Sequence, residues 1–126
     1  MLQCFYRFFP KGVDTKSCLF SKIIAGEIPS NKFYEDEKIL AFHDISPIAP
    51  VHFLVIPKEH IACIDDINAD NSAIVAYIFE KIPMLAEKAG ITNGYRVISN
   101  CKSDAGQTVP HLHFHVLGGK ELSWQE

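Results

Sequence analysis

The stretch His111-Leu112-His113-Phe114-His115-Val116 alternates polar and apolar residues without interruption. Because successive side chains of a β-strand point to opposite faces, this alternation predicts a strand at His111–Leu117. Its three imidazoles would project from one face, spaced roughly 6.5–7 Å apart, while Leu112, Phe114 and Val116 would enter the core. The pattern therefore predicts a half-buried strand that carries three co-facing histidines.

Three interpretations fit the histidine pattern. A plain polar strand face is a poor one, because it would use histidine three times in a row. A metal site is the second, since imidazoles on one face can share a zinc ion. No fourth ligand stands at a motif spacing, however, and Asp65-Asp66 has no visible reason to lie nearby. The third is nucleophilic catalysis, in which a neutral imidazole attacks phosphorus and carries the transferred fragment as a phosphoramidate.

The residues just before the histidines suit phosphate binding. Ser103-Asp104-Ala105-Gly106-Gln107-Thr108 supplies small residues, a carboxamide and a hydroxyl, which can hold a phosphate through backbone N–H groups and polar side chains. The same residue types form ordinary turns, so the loop alone indicates little. Beside three co-facing histidines it favours phosphorus chemistry, with Gly106, Gln107 and Thr108 as candidate phosphate-binding residues.

The rest of the chain predicts an α+β fold, with an antiparallel sheet of about five strands, one short helix and one long helix. The short helix begins near Ser17, a candidate N-cap, and stops at Gly26. The long helix runs from Asp70, which can cap its start, to Ala89, and Pro83 predicts a kink or a division into two pieces. With connections too short for parallel crossovers, the other strands are expected at Phe33–Glu35, Ile39–Phe42, His52–Ile56 and Tyr95–Ser99.

Composition limits the class of protein. The 126 residues are 48% apolar and 21% charged, as in a globular domain, and the net charge of -3 gives no support for binding nucleic acid or an anionic membrane. No apolar run approaches the ~18 residues of a membrane span. The four cysteines, at positions 4, 18, 63 and 101, are irregularly spaced, which favours free thiols in a reducing compartment. We therefore expect a soluble cytoplasmic protein, with residues 17–126 as one domain and residues 1–16 as a poorly ordered appendage.

The chain resembles the histidine-triad (HIT) family. Gln107–Gly119 is similar to the family signature, in which three histidines alternate with apolar residues. Cys18–Pro29 is similar to the first helix and turn of the Hint branch, and Ala41–Lys58 to its central block. The resemblance covers about residues 14–124. It implies the HIT-like fold and a homodimer whose sheet continues across the two protomers, joined through the long helix and the strand Tyr95–Ser99.

The resemblance also implies roles for the histidines. His113 would attack the α-phosphorus of a nucleoside 5′-phosphoramidate, such as adenosine 5′-monophosphoramidate, and hold an AMP-like fragment until water releases it. His115 would contact the phosphate and the leaving group, the backbone at His111 would fix the tautomer of His113, and His52 would complete the cluster. Because galactose-1-phosphate uridylyltransferase relatives have Gln in place of His115, its presence favours hydrolysis. A nucleotide-binding regulatory module with incidental hydrolysis and a dinucleoside polyphosphate hydrolase are the alternatives.

A second set of residues would bind the purine nucleotide. Asp44 would accept hydrogen bonds from the ribose hydroxyls, Asn100 would add a polar contact near the ribose and phosphate, and Gln107 and Thr108 would hold phosphate oxygens. Trp124 belongs to this set because, in the Hint branch, the segment after the last strand can reach the site of the partner subunit. The apolar slot for the purine ring would be lined by Phe20, Ile23, Phe42 and Ile45.

The chain departs from its relatives at one cysteine. Some bacterial proteins that resemble it carry Cys-x-x-Cys in the first helix and bind zinc through these cysteines together with histidines. Here Cys18 is followed three residues later by Ser21, so one thiolate ligand is missing although His60 and His111 are present. We therefore predict no metal and no other cofactor. The short segment after Trp124 is expected to alter substrate preference.

Overall fold

The computed structural model describes residues 18–124, and within this range it has two α-helices, one five-stranded sheet and two short 3₁₀ turns, Ile64–Asp66 and Ser103–Ala105. The expected N-cap Ser17 and the expected appendage at residues 1–16 lie outside the described residues. The helices are α1 (Leu19–Ile24) and α2 (Ser72–Lys88), and the strands are β1 (Lys32–Glu35), β2 (Ile39–His43), β3 (Val51–Pro57), β4 (Tyr95–Ile98) and β5 (Phe114–Gly118). The strand order β1-β2-β3-β5-β4, antiparallel at every pairing, confirms the predicted α+β fold with an antiparallel sheet.

Both faces of the sheet are covered, and the alternation of side chains divides the core in two. One face, the α2 face, packs against Ile78, Ile82 and Leu85 of α2 and is formed by Ile39, Ala41, Phe53, Val55, Phe114 and Val116. The other, the α1 face, packs against Leu19, Phe20 and Ile23 of α1 and is formed by Leu40, Phe42, Leu54 and Ile56. Strands covered on both faces have nearly continuous apolar sequences, which explains β2 and β3.

Helix α2 differs from the expectation at its start and at its proline. Asn71 occupies the N-cap position instead of Asp70, and it makes no capping hydrogen bond through its side chain. The helix runs through Pro83 without a division into two pieces, so of the two expected outcomes only a kink stays a prediction. Pro83 has no N–H to donate to the carbonyl four residues earlier, that of Phe79. Both residues are on the exposed side of the helix, where water can bind this carbonyl instead. Gly90, with a φ of 79°, follows the helix as predicted. No helix between residues 18 and 124 is long and apolar enough to cross a membrane.

Strand β5 begins at Phe114, three residues later than predicted from the histidine alternation. Pro110 offers no N–H, and the N–H of His111 donates to the carbonyl of Val109 over 2.8 Å. The N–H of Leu112 donates to the carbonyl of Ile61 over 2.6 Å, so the backbone is bound outside the sheet until Phe114. The alternation itself persists, because Leu112 lies in the same core cluster as Phe114.

Candidate active site

A group of buried histidines lies on the α1 face of the sheet. His52 comes from β3 and His115 from β5, and their ring centroids are 5.2 Å apart. His113, just before β5, lies 4.9 Å from His115 by the same measure. All three side chains are almost completely buried. The antiparallel pairing of β3 with β5 therefore brings His52 beside residues more than sixty positions away in the chain.

The backbone fixes the protonation of His113. Its Nδ1 lies 2.6 Å from the carbonyl oxygen of His111. Because a carbonyl can only accept, Nδ1 carries the ring hydrogen and Nε2 keeps a free lone pair. Burial lowers the pKa of His113, and the hydrogen bond to His111 only partly opposes this, so the ring is neutral near pH 7. A neutral imidazole with an available Nε2 lone pair is the form that can act as a nucleophile.

A chain of hydrogen bonds fixes His52 and His115 in the opposite tautomer. The N–H of Ile48 donates to Nδ1 of His52 over 3.2 Å, so the hydrogen of a neutral His52 is on Nε2. That Nε2 lies 3.0 Å from Nδ1 of His115, which accepts and therefore leaves the hydrogen of His115 on its own Nε2. Burial lowers the pKa of both rings, that of His115 to about 3. Nε2 of His115 is buried without a hydrogen-bond partner among the described residues, so it is a free donor next to His113.

Asp44 lies beside these rings. Its Oδ1 accepts the N–H of Ser46 over 2.8 Å, and its Oδ2 is 3.3 Å from Nε2 of His52. Each carboxylate oxygen has more than one lone pair, so both contacts leave capacity for a ligand hydroxyl. The side chain is 11% exposed, which makes the carboxylate reachable from solvent.

Three of the four residues expected in the purine slot lie together beside His113. The ring of Phe20 packs edge-to-face against His113 at 5.1 Å and against Phe42 at 5.5 Å, and Ile23 belongs to the same cluster. Ile45 differs, because it is 69% exposed in the loop after β2 and lies outside this cluster.

The expected phosphate-binding loop contains one contact that the sequence did not indicate. Gly106 has a φ of 77°, a conformation that favours glycine, and Thr108 is buried. The Gln107 carboxamide, however, donates from Nε2 to the carbonyls of Ala62 over 2.7 Å and Val109 over 3.0 Å. This differs from the expected contact with phosphate, because both amide hydrogens already have acceptors.

The last two expected nucleotide contacts differ in their surroundings. Asn100 is half-buried in the loop after β4, next to Ser99, whose hydroxyl donates to the carbonyl of His113 over 2.8 Å. Trp124 is 90% exposed, and its ring lies 5.7 Å from the guanidinium of Arg96 on β4. Within one chain, Trp124 is therefore a surface residue at the β4 end of the sheet.

Cys18, His60 and His111 form a second cluster, with their ligand atoms all within 4.8 Å of one another. Nε2 of His111 lies 2.9 Å from the carbonyl oxygen of Pro57, so it carries the ring hydrogen. The free Nδ1 faces Sγ of Cys18 at 3.4 Å and Nδ1 of His60 at 3.2 Å. Burial lowers the pKa of His111 to about 4, which keeps the ring neutral.

The geometry of this second cluster fits a zinc ion in part. A ligating histidine usually donates its other N–H to a carbonyl or carboxylate, as His111 does. Cys18, His60 and His111 would hold the ion, and a structural site needs a fourth ligand, for which the chain has Ser21 instead of a second thiolate. The absence of a metal therefore stays a prediction.

Asp44, His52 and His115 also bring their ligand atoms within 4.8 Å of one another. Here the fit to a metal is poor, because the N–H of Ile48 occupies Nδ1 of His52 and leaves the hydrogen on the Nε2 that would have to ligate. This cluster is a hydrogen-bond chain that orients His115.

Several of these features have no signal in the sequence. Ile48 acts through its backbone N–H, which any residue except proline can supply, and Pro57 acts through its backbone carbonyl, which every residue has. The contact of Cys18 with His111 joins residues 93 positions apart, and only the resemblance to zinc-binding relatives placed the two residues in one ligand set. His60 was recognisable only as an available ligand.

Comparison with known proteins agrees with this architecture. The family model described as HIT domain matches residues 25–122. A HIT-like protein of Synechococcus elongatus is 44% identical over 110 residues, which cover 87% of this chain and 96% of the relative. A crystal structure of a HIT family hydrolase from Legionella pneumophila superposes with a TM-score of 0.82 at 49% identity, covering 85% of this chain and 96% of that one. A histidine triad protein from Clostridium difficile gives a TM-score of 0.84 at 47% identity, with coverage of 88% and 97%.

Proposed function

The chain belongs to the HIT domain family, and we propose that it hydrolyses the P–N bond of purine nucleoside 5′-phosphoramidates through a nucleotidylated His113. One observation carries the proposal: in a buried site, the free Nε2 lone pair of His113 lies beside the Nε2–H of His115, which has no hydrogen-bond partner within residues 18–124. A nucleophile and a hydrogen-bond donor are the two groups that displacement at a phosphate requires. The resemblance to the Hint branch supports the phosphoramidate as substrate.

The reaction has two steps. In the first, Nε2 of His113 attacks the α-phosphorus, a new P–N bond to the imidazole forms, and the bond to the leaving amine breaks. In the second, water attacks the same phosphorus and releases the nucleoside 5′-monophosphate, AMP for an adenosine substrate, from His113. The amine takes up one proton as it leaves in the first step, and the attacking water gives up one proton in the second. The overall change is therefore the addition of one water. His115 donates from Nε2 to the phosphate and the leaving group, and His52 holds it in that tautomer.

The nucleoside is proposed to occupy the surface next to His113. The edge-to-face packing of Phe20 on His113 makes an apolar wall there, with Ile23 and Phe42 behind it. Asp44 has lone pairs left for the ribose hydroxyls. An apolar slot discriminates weakly between adenine and guanine, so we expect both purines to be accepted.

The test is turnover of a fluorogenic adenosine phosphoramidate. We expect His113→Ala to abolish turnover, and intact-mass spectra of wild type quenched at neutral pH to contain an AMP adduct that the variant lacks. His43→Ala is the matched control, because His43 packs against Phe33 and takes no part in the histidine group. Its rate should stay within about twofold of wild type, as for a substitution outside the site.

Three results would redirect the proposal. Equal rates for His113→Ala and wild type would refute the nucleophile. Tight AMP binding without cleavage of any phosphoramidate would favour a regulatory nucleotide-binding module. Faster cleavage of dinucleoside polyphosphates than of phosphoramidates would assign the chain to that other activity.

The proposal includes an assembly and a location. We propose a homodimer in which β4, at the edge of the sheet, pairs with its copy, and Trp124 contributes to the partner's nucleotide site. Tyr95 on β4 is 40% exposed, which supports an interface there. We also propose that the protein is cytoplasmic, supported by the free thiols of Cys18, Cys63 and Cys101, and that residues 17–126 form the domain.

A further inference from the structure

We propose that Gln107 is a positioning residue for His113, which acts through Val109 and His111 and does not bind the phosphate. The inference rests on the proposed role of His113 as nucleophile. It begins with a count of hydrogen bonds: a carboxamide has two donor hydrogens, and Gln107 spends one on Ala62 and one on Val109. Its Oε1 accepts the N–H of Lys102 over 2.8 Å. Only an oxygen lone pair is left, and this repels a phosphate.

A continuous set of hydrogen bonds links this carboxamide to the candidate nucleophile. The carbonyl of Val109 accepts both from Gln107 Nε2 over 3.0 Å and from the N–H of His111 over 2.8 Å. The carbonyl of His111 in turn accepts the Nδ1–H of His113 over 2.6 Å. Gln107 therefore orients the carbonyl of Val109, which binds the N–H of His111, and the carbonyl of His111 holds the ring of His113.

The other end of the contact is a rigid support. Ala62 accepts from Gln107, and the preceding residue, Ile61, is buried and accepts the N–H of Leu112 over 2.6 Å. The short segment 61–62 thus holds the approach to β5 at two points, one on each side of His111. Loss of the Gln107 contact would free one of them.

Gln107 also closes the loop that precedes it. Lys102 has a φ of 69° and a ψ of -175°, a region that only glycine adopts readily. Its N–H donates to Oε1 of Gln107, and its carbonyl accepts the N–H of Gln107 over 3.0 Å. These reciprocal bonds hold Lys102 in its strained conformation, so removing the carboxamide should let the loop relax away from the histidines.

The experiment compares Gln107→Met and Gln107→Glu with wild type. Methionine keeps the length of the side chain and removes all three hydrogen bonds of the carboxamide, while the backbone bond to Lys102 remains. Glutamate keeps the acceptor for Lys102 but loses both donors, and its charge faces two carbonyls. Measured quantities are kcat and KM for an adenosine phosphoramidate, Kd for AMP by calorimetry, the ¹⁵N-detected Nδ1–H signal of His113, and Tm.

We expect both variants to lower kcat by roughly 10–100-fold, because small displacements of a reacting group cost rate in this range. The Kd for AMP should change by less than about threefold, because in this proposal neither substitution removes a contact with the ligand. The Nδ1–H signal of His113 should shift or exchange faster with solvent in both variants. Thr108→Val is the comparison for a proposed phosphate contact, and it should raise the Kd for AMP.

A rise of about tenfold or more in Kd for AMP, with kcat unchanged, would make Gln107 a phosphate ligand and overturn the inference. A lower Tm with kcat and the His113 signal unchanged would make it a purely structural residue, with the same result. If wild type turns over no phosphoramidate, the proposed function fails. The His113 signal then still decides, because the positioning role requires it to change in both variants.

Discussion

The ring of His52 illustrates how one backbone N–H determines the chemistry of a second residue. Ile48 fixes the tautomer of His52, and His52 fixes that of His115, so the donor at Nε2 of His115 depends on a group two contacts away. We predict that His52→Leu lowers kcat by about 10²-fold or more, the range for loss of a positioned acid or base. In His52→Gln, the amide nitrogen takes the place of Nε2 and can still donate, so this variant should retain more activity. Equal kcat values for the two variants would contradict the chain of hydrogen bonds.

Asp36 is a residue whose importance is structural. Its carboxylate accepts hydrogen bonds from the hydroxyls of Tyr34, at 2.9 Å, and of Tyr77 on α2, at 2.5 Å, and from two backbone N–H groups of the β1–β2 turn. These bonds outweigh partial desolvation and lower the pKa of Asp36 to about 2. Because the pKa is depressed in the folded state, this contribution to stability is present above about pH 4 and is lost as the pH falls toward 2.

We predict that Tyr77→Phe lowers Tm more than Tyr34→Phe. Tyr77 joins α2 to a turn 41 residues away, whereas Tyr34 bonds within the turn, so only the first substitution loosens the helix from the sheet. Thermal unfolding at pH 7 measures both. At pH 2 the difference between the two variants should shrink, because about half of the Asp36 carboxylates are then protonated, and a constant difference would argue against this account.

At the scale of single residues, the sequence indicated which residue types meet and not how they are oriented. Alternation brought out His113 and His115, and the resemblance added His52 and Asp44, which the structure places together. The tautomers depend on the backbone groups of Ile48, Pro57 and His111, whose positions follow from the tertiary fold. For Gln107 the sequence suggested a phosphate ligand, because nothing in it indicated that Ala62 lies within reach.

Among the elements, helix α2 tolerates a proline in its interior. Pro83 removes one hydrogen bond on the exposed side of the helix, and the packing of Ile78, Ile82 and Leu85 keeps the helix continuous. We predict that Pro83→Ala stabilises the protein by about 1–3 kcal/mol, because it restores the bond and the helix propensity. Urea unfolding measures the change, with the exposed Glu87→Ala as a control expected within about 0.5 kcal/mol of wild type. A destabilised Pro83→Ala would mean that the helix requires the ring.

The elements themselves were largely predictable, and their ends were less so. The apolar runs of β2 and β3 indicated buried strands because both faces of the sheet are covered. The predicted start of β5 was wrong because the backbone hydrogen bond from Leu112 to Ile61 replaces pairing within the sheet. The local alternation of residues carries no information on such a contact. At α2, Asp70 and Asn71 are both good cap residues, so residue type alone cannot choose between them.

For the whole molecule, the buried histidines make stability depend on pH. Burial lowers the pKa of His52, His60, His111, His113 and His115 below the ordinary value of 6.5. Between 6.5 and the folded-state values, about 4 for His111 and about 3 for His115, the unfolded chain binds more protons than the folded one. The free energy of unfolding should therefore fall as the pH falls through this window, by about 1.4 kcal/mol per pH unit for each such histidine.

Urea unfolding at pH 7, 6 and 5 tests this dependence. His115→Gln removes one of the titrating rings, so its stability should fall less steeply than that of wild type. A stability that stays constant between pH 7 and 5 would show that the histidines are not held neutral.

The proposed dimer gives a second prediction at this scale. Sedimentation equilibrium should yield twice the mass of one chain. The resemblance joins the protomers through the long helix as well as through β4. Met84 on α2 is 41% exposed, and Met84→Glu should shift the equilibrium toward monomer if this helix takes part in the interface. Ile64→Glu is the matched control, because Ile64 is 43% exposed and lies on a different element, the short turn Ile64–Asp66. Equal effects of the two substitutions would argue against an interface formed by α2.

The two faces of the sheet have a consequence for how such a protein changes over evolution. The α2 face is held by a helix of 17 residues, whereas the α1 face carries the histidines and is covered by a helix of only six. Substitutions beside the histidines need to be accommodated mainly by α1, because successive side chains of a strand point to opposite faces of the sheet and pack against different neighbours. A lineage can therefore acquire a new ligand preference on one side of the sheet while the packing that keeps it folded, on the other side, is inherited unchanged.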